Sequence, residues 1–222
     1  MALPPFFTPM FFGTELVYTV IVVSLCFLIY FKTKESYALT KHCGIKYFRN
    51  AFLFLGLSYL LRFIFAIAIF SSIKTDIPSL QGIEFLLFAI LIITIGYLST
   101  MAIVYLALSS LWKKFESKYP LLIGHCIAIL ITLIAVLMHS PFILVHLQSL
   151  LLLVAFISFL AYTRNKKVPL RILYILTFAF WLINIWFLRP RPFLPLEIRI
   201  PTHIISIIIF AIIYYKIARK IQ

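Results

Sequence analysis

Predominantly apolar runs of about 20 residues recur along the whole chain, and no other feature constrains its fold as strongly. A helix of that length rises 1.5 Å per residue and so crosses a hydrocarbon core of ~30 Å. Because 64% of the 222 residues are hydrophobic and 12% are charged, a water-soluble domain could not cover its surface with polar side chains. We therefore predict an all-α integral membrane protein, a seven-transmembrane-helix bundle in the cell membrane.

The seven predicted spans form one domain, residues 1–222. Their approximate bounds are 11–31, 51–71, 83–112, 121–138, 142–162, 172–188 and 201–217. Only His139, Ser140 and Pro141 separate the fourth span from the fifth. We interpret this separation as a tight helical hairpin, because one helix of about 40 residues would be too long to cross the membrane once. The first run has neither a basic residue before it nor a small-residue cleavage site after it, so we expect it to remain as a span.

The lysine and arginine residues indicate the orientation. Fifteen of the 20 lie in segments that the spans place on one side, 32–50, 113–118, 164–171 and the tail from residue 216. The opposite side carries four of them, Lys74, Arg189, Arg191 and Arg199. The positive-inside rule therefore predicts an N-terminus outside and a C-terminus in the cytoplasm.

Two segments between spans each allow two interpretations. Segment 32–50, KTKESYALTKHCGIKYFRN, is a basic loop that either lies as a turn against anionic lipid headgroups or docks a cytoplasmic or membrane protein partner. Segment 188–201, LRPRPFLPLEIRIP, contains four prolines, which fix the backbone and disfavour helix. We predict that it lies as a stiff extended cover over the outer mouth of the bundle, either as a plain connector or as a lid over a ligand site.

Ionisable side chains within spans are the first candidates for function in a membrane protein. Arg62 lies near the middle of the second span, where burial in lipid without a partner costs at least ~2.5–3.5 kcal/mol. Its side chain leans toward the cytoplasm because that span runs outward, and ~16 Å of helix is farther than an arginine can reach. Arg62 therefore needs an interior partner, and the candidates are Glu15, Tyr97 and Asn184.

Glu15, His146 and His203 share a depth, about one turn below the outer surface, on the first, fifth and seventh spans. Imidazoles and a carboxylate would suit zinc or a proton-linked switch. No HxxxH or HxxEH spacing places two ligands on one helix face, however. We predict histidines that are simply hydrogen-bonded, and no metal site.

Motifs for catalysis and for cofactors are missing from the sequence. It has no GxSxG, no Gly-rich phosphate loop and a single aspartate, Asp76. A retinal protein would need a lysine in the middle of the last span, whereas Lys216 lies at its cytoplasmic end. We predict that the protein is not an enzyme and binds no cofactor. The net charge of +14 lies in short clusters between spans, so we expect the lipid bilayer, and not nucleic acid, as its partner.

Segment 44–63, GIKYFRNAFLFLGLSYLLRF, resembles the first inner loop and second span of small stand-alone seven-helix membrane proteins of archaea, whose role is unassigned. The layout of the whole chain is also similar to the seven-helix sensor regions that precede histidine kinase domains. This chain ends at Gln222, a few residues after its last span, so a sensor of this kind is expected to signal through a separate protein.

The leading functional hypothesis is a receptor-like seven-helix sensor that binds a small or apolar ligand from the outer side. Arg62, Glu15, Tyr97, Asn184, His146 and His203 are its predicted polar and ligand-binding residues. The alternatives are a non-catalytic subunit of a larger membrane assembly and a small transporter. The transporter is less favoured because the first three and last three spans share no repeated pattern of helix breaks.

Overall fold

Lipid offers no hydrogen-bond partners to a backbone, so a chain this apolar satisfies its N–H and C=O groups within helices. The computed structural model describes residues 9–75, 81–112, 119–138, 140–164, 171–187 and 196–221. Within these ranges the helices are α1 Pro9–Thr40, α2 Cys43–Thr75, α3 Gln81–Leu111, α4 Tyr119–Leu137, α5 Pro141–Thr163, α6 Arg171–Phe187 and α7 Leu196–Ile221.

Six of these seven helices, all except α6, contain stretches long and apolar enough to cross a membrane. Large apolar side chains remain exposed on the outer surface of the bundle, where lipid tails solvate them and water would not. Examples are Leu122, Ile129, Leu133, Leu150, Ile157 and Ile208. The chain is therefore a multi-pass membrane protein whose outer surface contacts lipid.

Segment 32–50 is largely helical, which corrects the prediction of a polar loop. α1 continues to Thr40 and α2 begins at Cys43, so the connection is a turn of Lys41 and His42. Lys41 has a positive φ of 51° and donates its backbone N–H to the carbonyl of Tyr37 at 2.9 Å. Hydropathy marks only where the apolar side chains end, whereas lysine, glutamate and tyrosine extend a helix into the membrane surface.

α7 begins at Leu196, so residues 196–201 are helical and not the predicted extended cover. Residues 188–195 lie outside the described ranges. Pro201 lies inside α7 as its sixth residue, two positions beyond the first four, whose N–H groups have no helical partner in any case. Its cost is therefore one backbone hydrogen bond near the helix start, which neighbouring helices in a membrane protein can offset.

A short connection joins α4 to α5, where the sequence predicts a tight hairpin. Ser140 precedes α5 in an extended conformation, and Pro141 opens the helix in a position that suits its fixed φ. The N–H of Ser140 reaches back to the carbonyl of Ala135 at 3.2 Å. The two helices then pack against each other and against α3.

The helices close into a ring, in which α1 packs on α2 and α7, α3 packs on α2, α4 and α5, and α6 packs on α5 and α7. Buried aromatic rings fill the interior between α2, α6 and α7. Phe52 stacks on Phe210 at 5.6 Å between ring centroids and meets Trp181 edge-on at 5.4 Å. Phe210 also meets Phe180 at 4.3 Å. These rings form an apolar layer one helical turn from Asn184 and Ser206.

A close approach of three helices depends on Gly96 of α3. A Cβ atom at this position would lie 2.6 Å from Thr132 Cγ2 and 3.2 Å from Leu144 Cδ2, which belong to α4 and α5. We expect Gly96→Ala to lower the free energy of unfolding by about 1–3 kcal/mol, because the neighbouring helices must separate. The measurement is denaturant unfolding in mixed micelles.

Gly13→Ala is the matched control, since a Cβ atom at this position would have no neighbour within 4 Å and alanine favours helix. It should leave stability unchanged or raise it by up to ~1 kcal/mol. Thr132→Ser removes the clashing methyl group and should recover part of the loss in Gly96→Ala. Equal stability of the two glycine variants would contradict the close packing of α3.

Candidate functional site

One stripe of α1 faces the bundle interior and carries the first candidate residues. Glu15 and Tyr18 are followed at spacings of three or four by Val22, Cys26 and Ile29, which are buried. Residues at this spacing share one helix face. Glu15 therefore projects inward about two turns after α1 begins. We call this end of the bundle, where α1 and α7 begin and α6 ends, the Glu15 end.

The carboxylate of Glu15 is shared by three basic side chains from two other helices. Arg199 of α7 forms a close ion pair with Glu15 Oε1. His203 Nε2, also from α7, lies 3.5 Å from the same oxygen. Arg62 Nη2 of α2 lies 3.4 Å from Glu15 Oε2. We call these four residues the Glu15 cluster.

The two guanidinium groups of the cluster are held differently. The Arg199 side chain is 7% exposed and its ion pair is tight, whereas the Arg62 side chain is 24% exposed. Charge-assisted N–H···O bonds usually measure ~2.7–2.9 Å, so the 3.4 Å contact of Arg62 is a weak one. Arg199 is therefore the main counter-charge of Glu15, and Arg62 is a looser second partner.

A second group of polar side chains lies one turn deeper and is fully buried. The hydroxyl groups of Tyr18 and Tyr59 both donate to Asn184 Oδ1, the latter at 2.7 Å. Asn184 Nδ2 donates to Ser206 Oγ at 2.9 Å and to the carbonyl of Phe180 at 2.7 Å. Ser206 Oγ lies 2.8 Å from the Tyr18 hydroxyl and donates to it, because the Tyr18 proton is already used. We call Tyr18, Tyr59, Asn184 and Ser206 the Asn184 network.

The Glu15 cluster and the Asn184 network are stacked along the same three helix faces. Each of α1, α2 and α7 supplies residues to both layers, and on each helix one residue of the cluster lies three positions from one of the network. The pairs are Glu15 and Tyr18, Tyr59 and Arg62, and His203 and Ser206. α7 supplies Arg199 to the cluster in addition. The Tyr18 ring also lies on the His203 ring, with centroids 4.1 Å apart. The Tyr18 side chain therefore contacts both layers, with its ring on His203 and its hydroxyl group on Asn184 of α6.

Two predicted residues lie elsewhere in the bundle. The Tyr97 hydroxyl of α3 lies 2.8 Å from His125 Nδ1 of α4. His146 of α5 is exposed, and its Nδ1 lies 2.7 Å from the carbonyl of Phe142 one turn earlier. The structure thus brings Glu15 and His203 together but leaves His146 on the outer face. Within the described ranges, no group of three or more histidine, cysteine or acidic residues could hold a metal ion.

Arg199 is the member of the Glu15 cluster that the sequence prediction missed. The four prolines of segment 188–201 indicate an extended loop, and Arg199 falls within that segment. The spacing of Arg199, His203 and Ser206, four and then three residues, marks one face of α7 and could have identified it. Tyr18 and Tyr59 were missed because a tyrosine in an apolar run resembles ordinary packing.

A third polar group joins α3 to α5 away from the cluster. Gln148 Nε2 donates to Ser99 Oγ at 2.7 Å and to Thr100 Oγ1 at 2.9 Å. Gln148 is 1% exposed, so these bonds are formed in the dry interior between the helices. They stabilise the packing of α5, and nothing about them indicates a ligand.

Comparison with known proteins identifies a relative along nearly the whole chain. A protein of Archaeoglobus fulgidus, described as uncharacterized, is 36% identical over 228 residues, which cover 99% of this chain and 98% of that protein. No protein-family model matches the chain, and no solved structure matches it. The similarity in layout to the sensor regions of histidine kinases stays a prediction.

Proposed function

The chain belongs to the family of the uncharacterized Archaeoglobus fulgidus protein, and from this premise we propose that it is a receptor-like membrane sensor. In this proposal a small ligand reaches the Glu15 cluster from outside the cell, and the signal passes to a separate protein. The observation that carries the proposal is the position of this cluster. Two arginines and a histidine share one carboxylate inside a lipid-embedded bundle, where ionisable groups are costly and mark functional sites.

The proposal requires seven spans in a single domain, with the Glu15 end outside and the C-terminus in the cytoplasm. α6 supplies the seventh span: its 17 described residues measure about 26 Å, close to the thickness of the hydrocarbon core. Its buried residues Phe180, Trp181 and Asn184 support a place within the bundle. The excess of lysine and arginine in the segments around residues 41, 115 and 167 supports the orientation.

Cysteine labelling tests this orientation. Cys43, at the start of α2, is exposed and would face the cytoplasm. In a Cys126→Ala background, we expect a membrane-impermeant maleimide to label Cys43 only after intact cells are permeabilised. Ala2→Cys in a Cys43→Ser, Cys126→Ala background should be labelled in intact cells. The reverse pattern would contradict the proposed orientation.

A route for the signal runs along α1 and α2 to the turn at Lys41. The Glu15 cluster joins these two helices at one end, since Glu15 belongs to α1 and Arg62 to α2. Near the turn, the Arg49 guanidinium of α2 lies over the rings of Tyr30 and Tyr37 of α1, at 5.2 and 5.1 Å from their centroids. These cation–π contacts join α1 to α2 near the turn. A shift of α1 against α2 would therefore change the arrangement of the basic side chains on the surface of segment 32–50. We propose that the signalling partner docks there.

A ligand screen by thermal stability tests the proposed function. The purified protein, in nanodiscs of zwitterionic lipid, is mixed with small carboxylates, phosphates, amines and neutral apolar compounds. A sensor should show at least one saturable rise in Tm, which mass action requires of any ligand that binds the folded state. The response should weaken in Arg62→Gln or His203→Gln. It should persist in Tyr97→Phe, which changes a hydroxyl outside the cluster. A screen without such a response, or responses equal in all variants, would contradict the proposal.

A further inference from the structure

We propose that Arg62 is the ligand-contacting residue of the Glu15 cluster and that the ligand carries an oxyanion, a carboxylate or a phosphate. This inference rests on the proposed function and adds the chemical class of the ligand. It assigns different roles to the two arginines: Arg199 holds Glu15 in place, and Arg62 receives the ligand.

The hydrogen-bond inventory of Arg62 supports this division. A guanidinium has five N–H donors in a planar fork. Within the described residues, Arg62 uses one nitrogen, Nη2, in the 3.4 Å contact with Glu15 Oε2. Its side chain is 24% exposed, so the remaining donors can be reached from outside the protein interior. A planar fork of this kind matches the two oxygens of a carboxylate or phosphate, which a neutral or cationic ligand cannot offer as well.

The charges of the cluster point to the same class of ligand. The structure describes two acidic side chains, and Glu15 is the one at this end of the bundle. The second, Glu35, lies near the turn at Lys41, where its carboxylate is 3.7 Å from the ammonium group of Lys32 in the same helix α1. Glu15 already forms a close ion pair with Arg199 and so compensates Arg62 only in part. An oxyanion would supply the missing counter-charge, and a charge without a partner in a low-dielectric site is costly. A cationic ligand would meet two guanidinium groups and be repelled.

An oxyanion can come from two sources, a soluble anion outside the cell or the headgroup of an anionic lipid in the outer leaflet. The first is tested with inorganic phosphate and acetate, added to the protein in neutral detergent at an ionic strength kept constant with chloride. The second is tested by comparing nanodiscs of phosphatidylcholine with nanodiscs that also contain phosphatidylglycerol. The readout in both arms is the shift of Tm.

We expect a saturable rise in Tm in at least one arm for the unaltered protein. Arg62→Gln should weaken the apparent affinity by about tenfold or more, as expected when a charge-assisted hydrogen bond is lost. The apparent affinity of Arg62→Lys should lie between those of the unaltered protein and Arg62→Gln, because lysine keeps the charge but not the planar fork of donors. Arg49→Gln is the matched control: it makes the same change in the arginine near Tyr30 and Tyr37, and the response should be retained.

The proposal is overturned if neither source shifts Tm, or if Arg62→Gln responds as strongly as the unaltered protein. If Arg62→Gln does not fold, acetate and acetamide are compared on the unaltered protein, and an equal effect of the two overturns the role of the charge. A cluster-dependent ligand that proves neutral or cationic would overturn this inference and leave the proposed function standing. Responses in the soluble arm alone or in the lipid arm alone both support the inference and identify the source.

Discussion

Replacing Glu15 by glutamine is expected to lower the free energy of unfolding by about 3 kcal/mol or more. Glutamine keeps the shape of the side chain but removes the charge that Arg199 and Arg62 share. Arg199 is 7% exposed, so its charge would stay in the interior without its main counter-charge. Removing one partner of a buried ion pair typically costs about 3–5 kcal/mol for this reason. The measurement is reversible denaturation in mixed micelles, with lipid composition held constant.

Glu35→Gln is the matched control. Glu35 pairs with Lys32 at 3.7 Å, but its side chain is 69% exposed, so the same substitution should change stability by less than ~0.5 kcal/mol. The double variant Glu15→Leu, Arg199→Met tests the cause of the loss, since apolar residues of similar volume often replace a buried ion pair at little cost. It should be more stable than Glu15→Gln. If Glu15→Gln and Glu35→Gln behave alike, the cluster does not hold the bundle together.

The helices could be predicted because hydropathy reports directly on membrane crossing. Their ends could not, because hydropathy does not report on where a helix stops. The lysines and tyrosines of segment 32–50 remain compatible with helix after the apolar run has ended, and α1 continues to Thr40. Proline generally disfavours helix, but Pro201 lies so close to the start of α7 that it removes one hydrogen bond and leaves the helix in place.

The candidate site was predictable in part, for a related reason. Arg62 is costly wherever it is unpaired, so its need for a partner followed from the sequence, and Glu15 is the partner that the structure places beside it. The rotation of each helix about its own axis could not be predicted from the sequence. Lipid-facing and interior side chains are both apolar, so a span has no polar face to show which way it points. His146 therefore matches His203 in predicted depth and yet lies on the outside of the bundle.

Replacing Asn184 by leucine is expected to lower the free energy of unfolding by about 2–4 kcal/mol. Asn184 accepts from Tyr18 and Tyr59 and donates to Ser206 and to the Phe180 carbonyl, all in the buried interior. Leucine has a similar size but leaves the two tyrosine hydroxyl groups without their acceptor. Each buried polar group without a partner costs about 1–3 kcal/mol. The same denaturation experiment measures this loss.

A double variant separates the hydrogen bonds from the packing of the side chain. Tyr59→Phe, Asn184→Leu removes one donor together with its acceptor, so it should be less destabilised than the sum of the two single variants. The double variant changes no residue of the Glu15 cluster, so the ion pairs of Glu15 stay intact. Strict additivity of the two changes would mean that Tyr59 and Asn184 do not act together. The measured coupling therefore decides whether the Asn184 network links α2 to α6 energetically, as a signal from the Glu15 cluster into α6 requires.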